Sequence, residues 1–140
     1  VRREEKGAVA RTEFDVIDDE PVGSSEQLVV AMEAIDEVHV SETFLEHVVA
    51  LVNRTRNHPA IELGGSPRAG IALIKSSRAR ALVHGRDYVI PDDLFALSED
   101  VILHRIRLNY EALASGLTGE SVLQEMLSEI GGAPSSNGSQ

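Results

Sequence analysis

The sequence predicts an all-α domain of four or five helices. Apolar residues recur at three- and four-residue spacing in successive segments, and each segment opens on a recognisable helix-start signal. The chain of 140 residues is long enough for one domain with its own core. The boundaries expected from composition are a flexible acidic lead-in over 1–23, the helical domain over 24–131, and a disordered Pro/Ser/Gly/Asn-rich tail over 132–140.

The lead-in is charged, with a brief apolar patch at Phe14, Val16 and Ile17, and Pro21 and Gly23 close it. The first helix starts at Ser24 or Ser25, since Ser24 and Gln27 have capping-box spacing. Leu28, Met32 and Ile35 form its stripe, with Val29 beside them, and the pattern ends at Asp36-Glu37. Val38-His39-Val40 alternates and reads as extended. Ser41 opens the second helix, with Val40 and Leu45 at hydrophobic-staple spacing. Phe44, Leu45, Val48, Val49 and Val52 give one apolar stripe that Leu51 widens. Asn57-His58-Pro59 stops it, because proline restricts the residue before it and cannot continue the ladder.

The third helix begins at Pro67 and runs to about residue 84. Its apolar and small residues point almost all round, as in a central, mostly buried helix. Gly85 is its stop in left-handed geometry. Arg86 to Ile90 is an extended link, with Arg86 placed away from the third helix's N-terminus. Pro91 opens the fourth helix, where Asp92 and Asp93 suit the N-terminal dipole. Ile90 stands at its cap, forgoing a cap bond of about 1 kcal/mol. Leu94, Leu97, Val101, Ile102, Leu103 and Ile106 continue the pattern, and Ser98 to Asp100 reads as a bend or break. A last helix is expected over about 120–130, on Val122, Leu123, Met126, Leu127 and Ile130, ended by Gly131-Gly132.

The most informative stretch is Gly64-Gly65-Ser66-Pro67-Arg68, which reads as a flexible loop and then a helix start. The Ser66 hydroxyl can accept a first-turn N–H, and Pro67 fits the first helical position. Arg68 is a cation in the first turn, where the dipole favours acids. It is either a solvated surface arginine or one half of an anion site made with the free N–H groups beside it, for which a nucleotide phosphate is the obvious ligand. Lys75 lies seven residues on, nearly the same face. It either adds a second positive charge or is solvated.

Charge and motifs exclude several classes. Net charge is −10, against the basic face of a nucleic-acid binder. Only residues 64–110 carry a positive balance, seven Lys/Arg against five Asp/Glu. There is no cysteine, so disulfides and thiolate metal sites are excluded. His-Glu-x-x-His does not occur, and neither His47 nor His58 has metal-ligand spacing, so no metal site is expected. No apolar run approaches the ~20 residues of a membrane span. No nucleophile–base constellation is visible. A P-loop needs Gly-Lys-Ser/Thr, but the only lysines, Lys6 and Lys75, do not follow glycine. Val16-Ile17-Asp18-Asp19-Glu20 imitates a Walker B segment, but Asp15 interrupts the apolar run, and an acidic linker is the simpler reading.

Over 40–107 the chain resembles the C-terminal helical lid of MoxR-type AAA+ ATPases, relatives of the magnesium-chelatase ATPase subunit. The segments that carry the resemblance are Leu63-Gly64-Gly65-Ser66-Pro67-Arg68-Ala69, Gly85-Arg86-Asp87-Tyr88-Val89, Pro91-Asp92-Asp93 and His104-Arg105, with a looser fit at Val38-His39-Val40-Ser41 and Thr55-Arg56-Asn57-His58-Pro59. Their order and spacing are what make it specific. Two positions depart from the pattern: Ile90 replaces a common threonine, and Arg80 a usual apolar residue, which puts its packing in question.

The resemblance implies a four- to five-helix lid-type bundle and a role for Arg68 as the sensor 2 residue that reaches ATP from the lid. Gly64, Gly65, Ser66 and Pro67 would shape that contact. ATP with magnesium belongs to the intact parent, and neither cofactor nor hydrolysis is expected of this chain alone. The implied partners are the lid's own AAA+ core, the neighbouring subunits of a hexameric ring, and von Willebrand factor A domain proteins. The implied work is chaperone-like remodelling in the cytoplasm. The His104-Arg105 pair could serve packing or a neighbouring-subunit contact. A reading from another class is a stand-alone helical adaptor that binds protein through an apolar groove.

Overall fold

The computed structural model describes residues 20–131. The Walker-B-like segment, save Glu20, and the expected tail over 132–140 lie outside the described residues, as does most of the lead-in. The helices are α1 (Ser25–Glu37), α2 (Glu42–Asn57), α3 (Pro67–Val83), α4 (Pro91–Ile102), α5 (Tyr110–Ala114) and α6 (Gly119–Gly131). Two short strands, β1 (Ile61–Leu63) and β2 (Arg107–Leu108), pair antiparallel, with Ile61 opposite Leu108 and Leu63 opposite Arg107. The all-α expectation holds, with this strand pair and the short α5 added.

The start signals act as their chemistry dictates. Ser24 accepts from the Gln27 N–H at 3.2 Å, while the Gln27 side chain accepts from the Ser24 N–H at 2.8 Å, closing the capping box of α1. Ser41 accepts from the Phe44 N–H at 3.2 Å and caps α2. At the end of α3, Gly85 takes φ +70°, open to glycine without penalty. The Arg86 N–H then reaches the Ala81 carbonyl and the Gly85 N–H the Leu82 carbonyl, both at 2.9 Å. This crossed pair is a Schellman stop.

Helix α3 is central, packed against α1, α2 and α4, and α6 closes the far side against α2 and α4. The core joins Val48 and Leu51 of α2, Leu73 of α3, Leu94 and Ile102 of α4, and Leu123 and Met126 of α6, all fully buried. Each such side chain contributes roughly 1.5–3 kcal/mol through burial. Ala69, Gly70, Ser77 and Ala81 of α3 are buried as well, and their small size lets the neighbouring helices approach.

Several expectations fail in detail. Helix α3 keeps one side in solvent, with Ile71 and Val83 exposed. In α2 the buried face is Phe44, Val48, Leu51, Val52 and Thr55, and Leu45 and Val49 lie outside it. Helix α1 buries none of its residues: Leu28 is 63% exposed and Met32 59%. It packs against α3 with only Ala34 and Ile35 half-buried, and Asp36 pairs with Arg78 of α3. No break occurs at Ser98. Its hydroxyl bonds back to the Leu94 carbonyl at 2.6 Å, so a buried serine is satisfied without leaving the helix. The regular helix instead ends in the 3-10 turn Leu103–Arg105.

Candidate functional site

The strand pair fixes the approach to α3. After α2 the chain turns at Pro59, and the Asn109 N–H donates to the Ala60 carbonyl at 2.9 Å while the Asn109 side-chain amide reaches the Pro59 carbonyl. Strand β1 follows and delivers the chain to Gly64 at a fixed position. The Gly64-Gly65 pair is not the flexible loop its composition suggests. A Cβ on Gly64 would lie 2.5 Å from the Thr55 carbonyl oxygen and 2.6 Å from Arg56 Cα, so only glycine lets the two backbones approach this closely. Gly65 is buried, and its N–H donates to Thr55 Oγ1 at 2.8 Å. Thr55 is fully buried, and its hydroxyl in turn donates to the Val52 carbonyl at 2.6 Å. Leaving that N–H unpaired would cost roughly 1–3 kcal/mol.

Ser66 then occupies the N-cap of α3, but its hydroxyl makes no cap bond, contrary to expectation. Its backbone is extended, with ψ 166°, and its carbonyl accepts from the Ala69 N–H at 2.9 Å. Pro67 takes the first helical position, and Arg68 stands exposed in the same turn. The first turn of α3 holds no acid, whereas the other five described helices each carry one or two there. None of the ion pairs among the described residues involves Arg68. A guanidinium and an uncapped helix N-terminus thus face solvent together, which is chemistry suited to an anion.

Lys75 is also exposed but stands apart, about 10 Å further along the axis at 1.5 Å per residue. It lines a cavity of about 460 Å³ between α1 and α3 together with Glu33 and Asp36. A separate, mainly apolar cavity of about 290 Å³ lies between α2 and α3, walled by Val49, Val52, Ile71 and Ile74, with Pro67 and Arg56 also on its lining.

The charges beyond α3 are arranged for structure. Asp93 is 1% exposed. Arg86 donates to both its oxygens, from Nη1 at 2.9 Å and Nη2 at 2.8 Å, and also to the Tyr88 carbonyl at 3.0 Å. Arg80 brings Nε to 3.2 Å of Asp93 Oδ1, an ion contact without an aligned hydrogen bond. Thus the arginine that breaks the expected apolar pattern is held by a buried acid. Asp93 Oδ2 accepts the Ile90 N–H at 2.9 Å, replacing the missing cap of α4 with the reciprocal half of a capping box. Burial pushes the Asp93 carboxyl up, but the Arg86 fork, the Ile90 N–H and the nearby guanidinium charges outweigh it and hold the group below its ordinary value. Arg86 is raised by the same bond.

Among the described residues, no three His, Asp or Glu side chains gather as metal ligands, and no helix is long and apolar enough to cross a membrane. Sequence reasoning missed Thr55 and the Asp93 cluster. Thr55 carried one signal: it continues the buried 48-52-55 phase of α2 with a polar side chain.

The AAA lid domain model matches residues 53–126, a span that opens in the last turns of α2 and includes Thr55, the whole Gly-Gly-Ser-Pro-Arg segment and the Asp93 cluster. The chain belongs to the AAA lid domain family. As a lid it is similar to the uncharacterized protein YeaC of Bacillus subtilis, 39% identical over 111 residues, covering 79% of this chain and 35% of that protein. It is 36% identical over 100 residues to the chaperone MoxR1 of Mycobacterium tuberculosis, covering 65% of this chain and 26% of MoxR1. A crystal structure of a candidate ATPase from Cytophaga hutchinsonii superposes with a TM-score of 0.64 at 33% identity, over 68% of this lid and 32% of that chain. The lid spans about a third or less of the length of each of these proteins.

Proposed function

We propose that this lid serves a MoxR-type AAA+ ATPase, closing over ATP and placing Arg68 on its phosphates as the sensor 2 residue. One observation carries the reading: Arg68, at the arginine position of the Ser-Pro-Arg segment, is exposed and unpaired among the described residues at an acid-free helix start. Arginine suits the task because its fork binds two phosphate oxygens and keeps its charge at any working pH. A positioned cation on a transferring phosphoryl group speeds turnover by stabilising the charge that spreads over its oxygens. The donor set fits phosphate oxygens and not magnesium, which the ATPase core would hold. Assembly into a ring, remodelling of protein clients, von Willebrand factor A domain partners and a cytoplasmic setting belong to the same proposal, supported by the kinship with the chaperone MoxR1.

The test is Arg68→Ala in the intact parent. ATP turnover should fall by a factor of about 10³, as for arginines acting on transferring phosphate. The melting temperature should stay level or rise slightly, because the change removes a cation from a helix N-terminus. Arg68→Lys should recover part of the rate. Arg107, exposed and paired among the described residues with the exposed Glu62, is the control. Full turnover by Arg68→Ala would overturn the reading. A stand-alone adaptor is favoured by one observation, the uncovered apolar residues of α1. Walker A and Walker B segments in the reading frame before Val1 would eliminate it.

A further inference from the structure

We infer that Thr55 is a positioning residue for Arg68: its buried hydroxyl sets where the first turn of α3 presents the guanidinium. The inference rests on the phosphate reading of Arg68. Thr55 itself is fully buried, out of reach of a bound nucleotide, so it acts only through the segment it holds. That hold is directional. Thr55 Oγ1 donates to Val52 at 2.6 Å, which orients the hydroxyl and leaves its lone pairs for the Gly65 N–H at 2.8 Å. Gly64 is pressed against the Thr55 and Arg56 backbone, so the segment cannot slide toward α2. Arg68 lies three residues beyond the bond, and Pro67 with its fixed φ lies between.

The link from the hydroxyl to the Arg68 backbone is therefore short and stiff, and it sets the base from which the guanidinium reaches. Ser66, which by residue type should anchor this turn, contributes no side-chain bond, so the Thr55–Gly65 contact carries that duty. A shift of about 1 Å in a charge acting on a reacting group can cost some 10²-fold in rate. An arginine held through Thr55 should show that sensitivity, while an arginine on a loose loop would not.

The experiment is a double-mutant cycle in the intact ATPase, read as kcat and KM for ATP well below the melting range. Thr55→Val keeps the shape and removes the hydroxyl. It should lower kcat at least tenfold, and Thr55→Ser should restore most of it. On an Arg68→Ala background, Thr55→Val should change kcat less than twofold, because the group it positions is gone. Gly65→Ala approaches the same contact from the other side: its Cβ would meet Thr55 Oγ1 at 3.3 Å and crowd the bond while leaving every polar atom in place. It should reproduce the pattern, and it decides the matter if Thr55→Val does not fold. Equal losses with and without Arg68, or no loss with Arg68 present, would show Thr55 to be a fold residue only and overturn the inference while the phosphate reading stands. Full activity of Arg68→Ala would overturn both.

Discussion

Helices α3 and α4 both begin on a proline, Pro67 and Pro91, yet their first turns are satisfied in opposite ways. Helix α4 has an isoleucine at its cap, the poorer residue for the position. It nevertheless starts fully compensated, with Asp93 bonded to the Ile90 N–H and clamped by two arginines out of water. Helix α3 has the better cap residue, a serine, and starts uncompensated, with no cap bond, no acid and an exposed arginine. Charge that is matched inside the fold is committed to stability. Charge left unmatched on a rigid support is available to a ligand. The difference between these two helix starts is what separates a structural arginine such as Arg86 from a candidate functional one such as Arg68.

The comparison can be broken hardest at Asp93. Asp93→Ala should lower the unfolding free energy by about 3 kcal/mol, the low end for a buried pair because Arg80 keeps partial solvent access. Urea unfolding of this chain measures it, and a loss below about 1 kcal/mol would mean the cluster behaves as a surface pair. The same carboxyl sets a pH dependence. Its folded pKa lies below the ordinary 3.8, so its contribution is complete above that value and is lost as pH falls through the folded pKa. Stability should therefore drop below about pH 4, and Asp93→Asn should flatten that part of the curve.

A smaller effect is expected at the other helix start. Gly64→Ala forces a Cβ against the Thr55 carbonyl and should cost about 1–3 kcal/mol by the same unfolding measurement. A neutral result would mean that the segment yields and that α3 is not rigidly presented. The smallest effect sharpens the contrast. Ser66→Ala should leave stability within about 0.5 kcal/mol. By contrast, Ser41→Ala, which removes a formed cap, should cost about 1 kcal/mol. Equal costs at the two serines would place a cap bond on α3 and erase its distinction.

Local chemistry made much of the fold legible. The Ser24–Gln27 box, the Ser41 cap, Pro67 and the Gly85 stop each act within five residues of sequence, and each was read where it stands. The strand pair joins segments about 45 residues apart through two or three residues each, too short for any periodic signal. Ser98 was misread because a serine in a helix interior usually marks a weak point. Here its hydroxyl turns inward onto its own helix. Arg68 stands out in the sequence by type and position, and the structure leaves it exposed in the first turn of α3. Thr55 was hidden because its bond to Gly65 crosses from one element to another, and Asp93 because a carboxylate at a helix start ordinarily faces water.

Helix α1 has 13 residues, none of them buried. A free helix of that length is marginal in water, and this one rests on α3 without burying any side chain fully. Its opening therefore costs the least of any long helix here, and its amides should exchange with solvent well before those of α3. The loosening has a defined limit. Val38 is 3% exposed, and the His39 backbone is bonded to both Asp87 and Val89, so unravelling from the N-terminal side halts at that bridge. The molecule thus has a soft leading helix, held to the body by its contacts with α3, the Asp36–Arg78 ion pair and the His39 bridge, whereas Arg68 is placed by the Gly65–Thr55 bond at the start of α3.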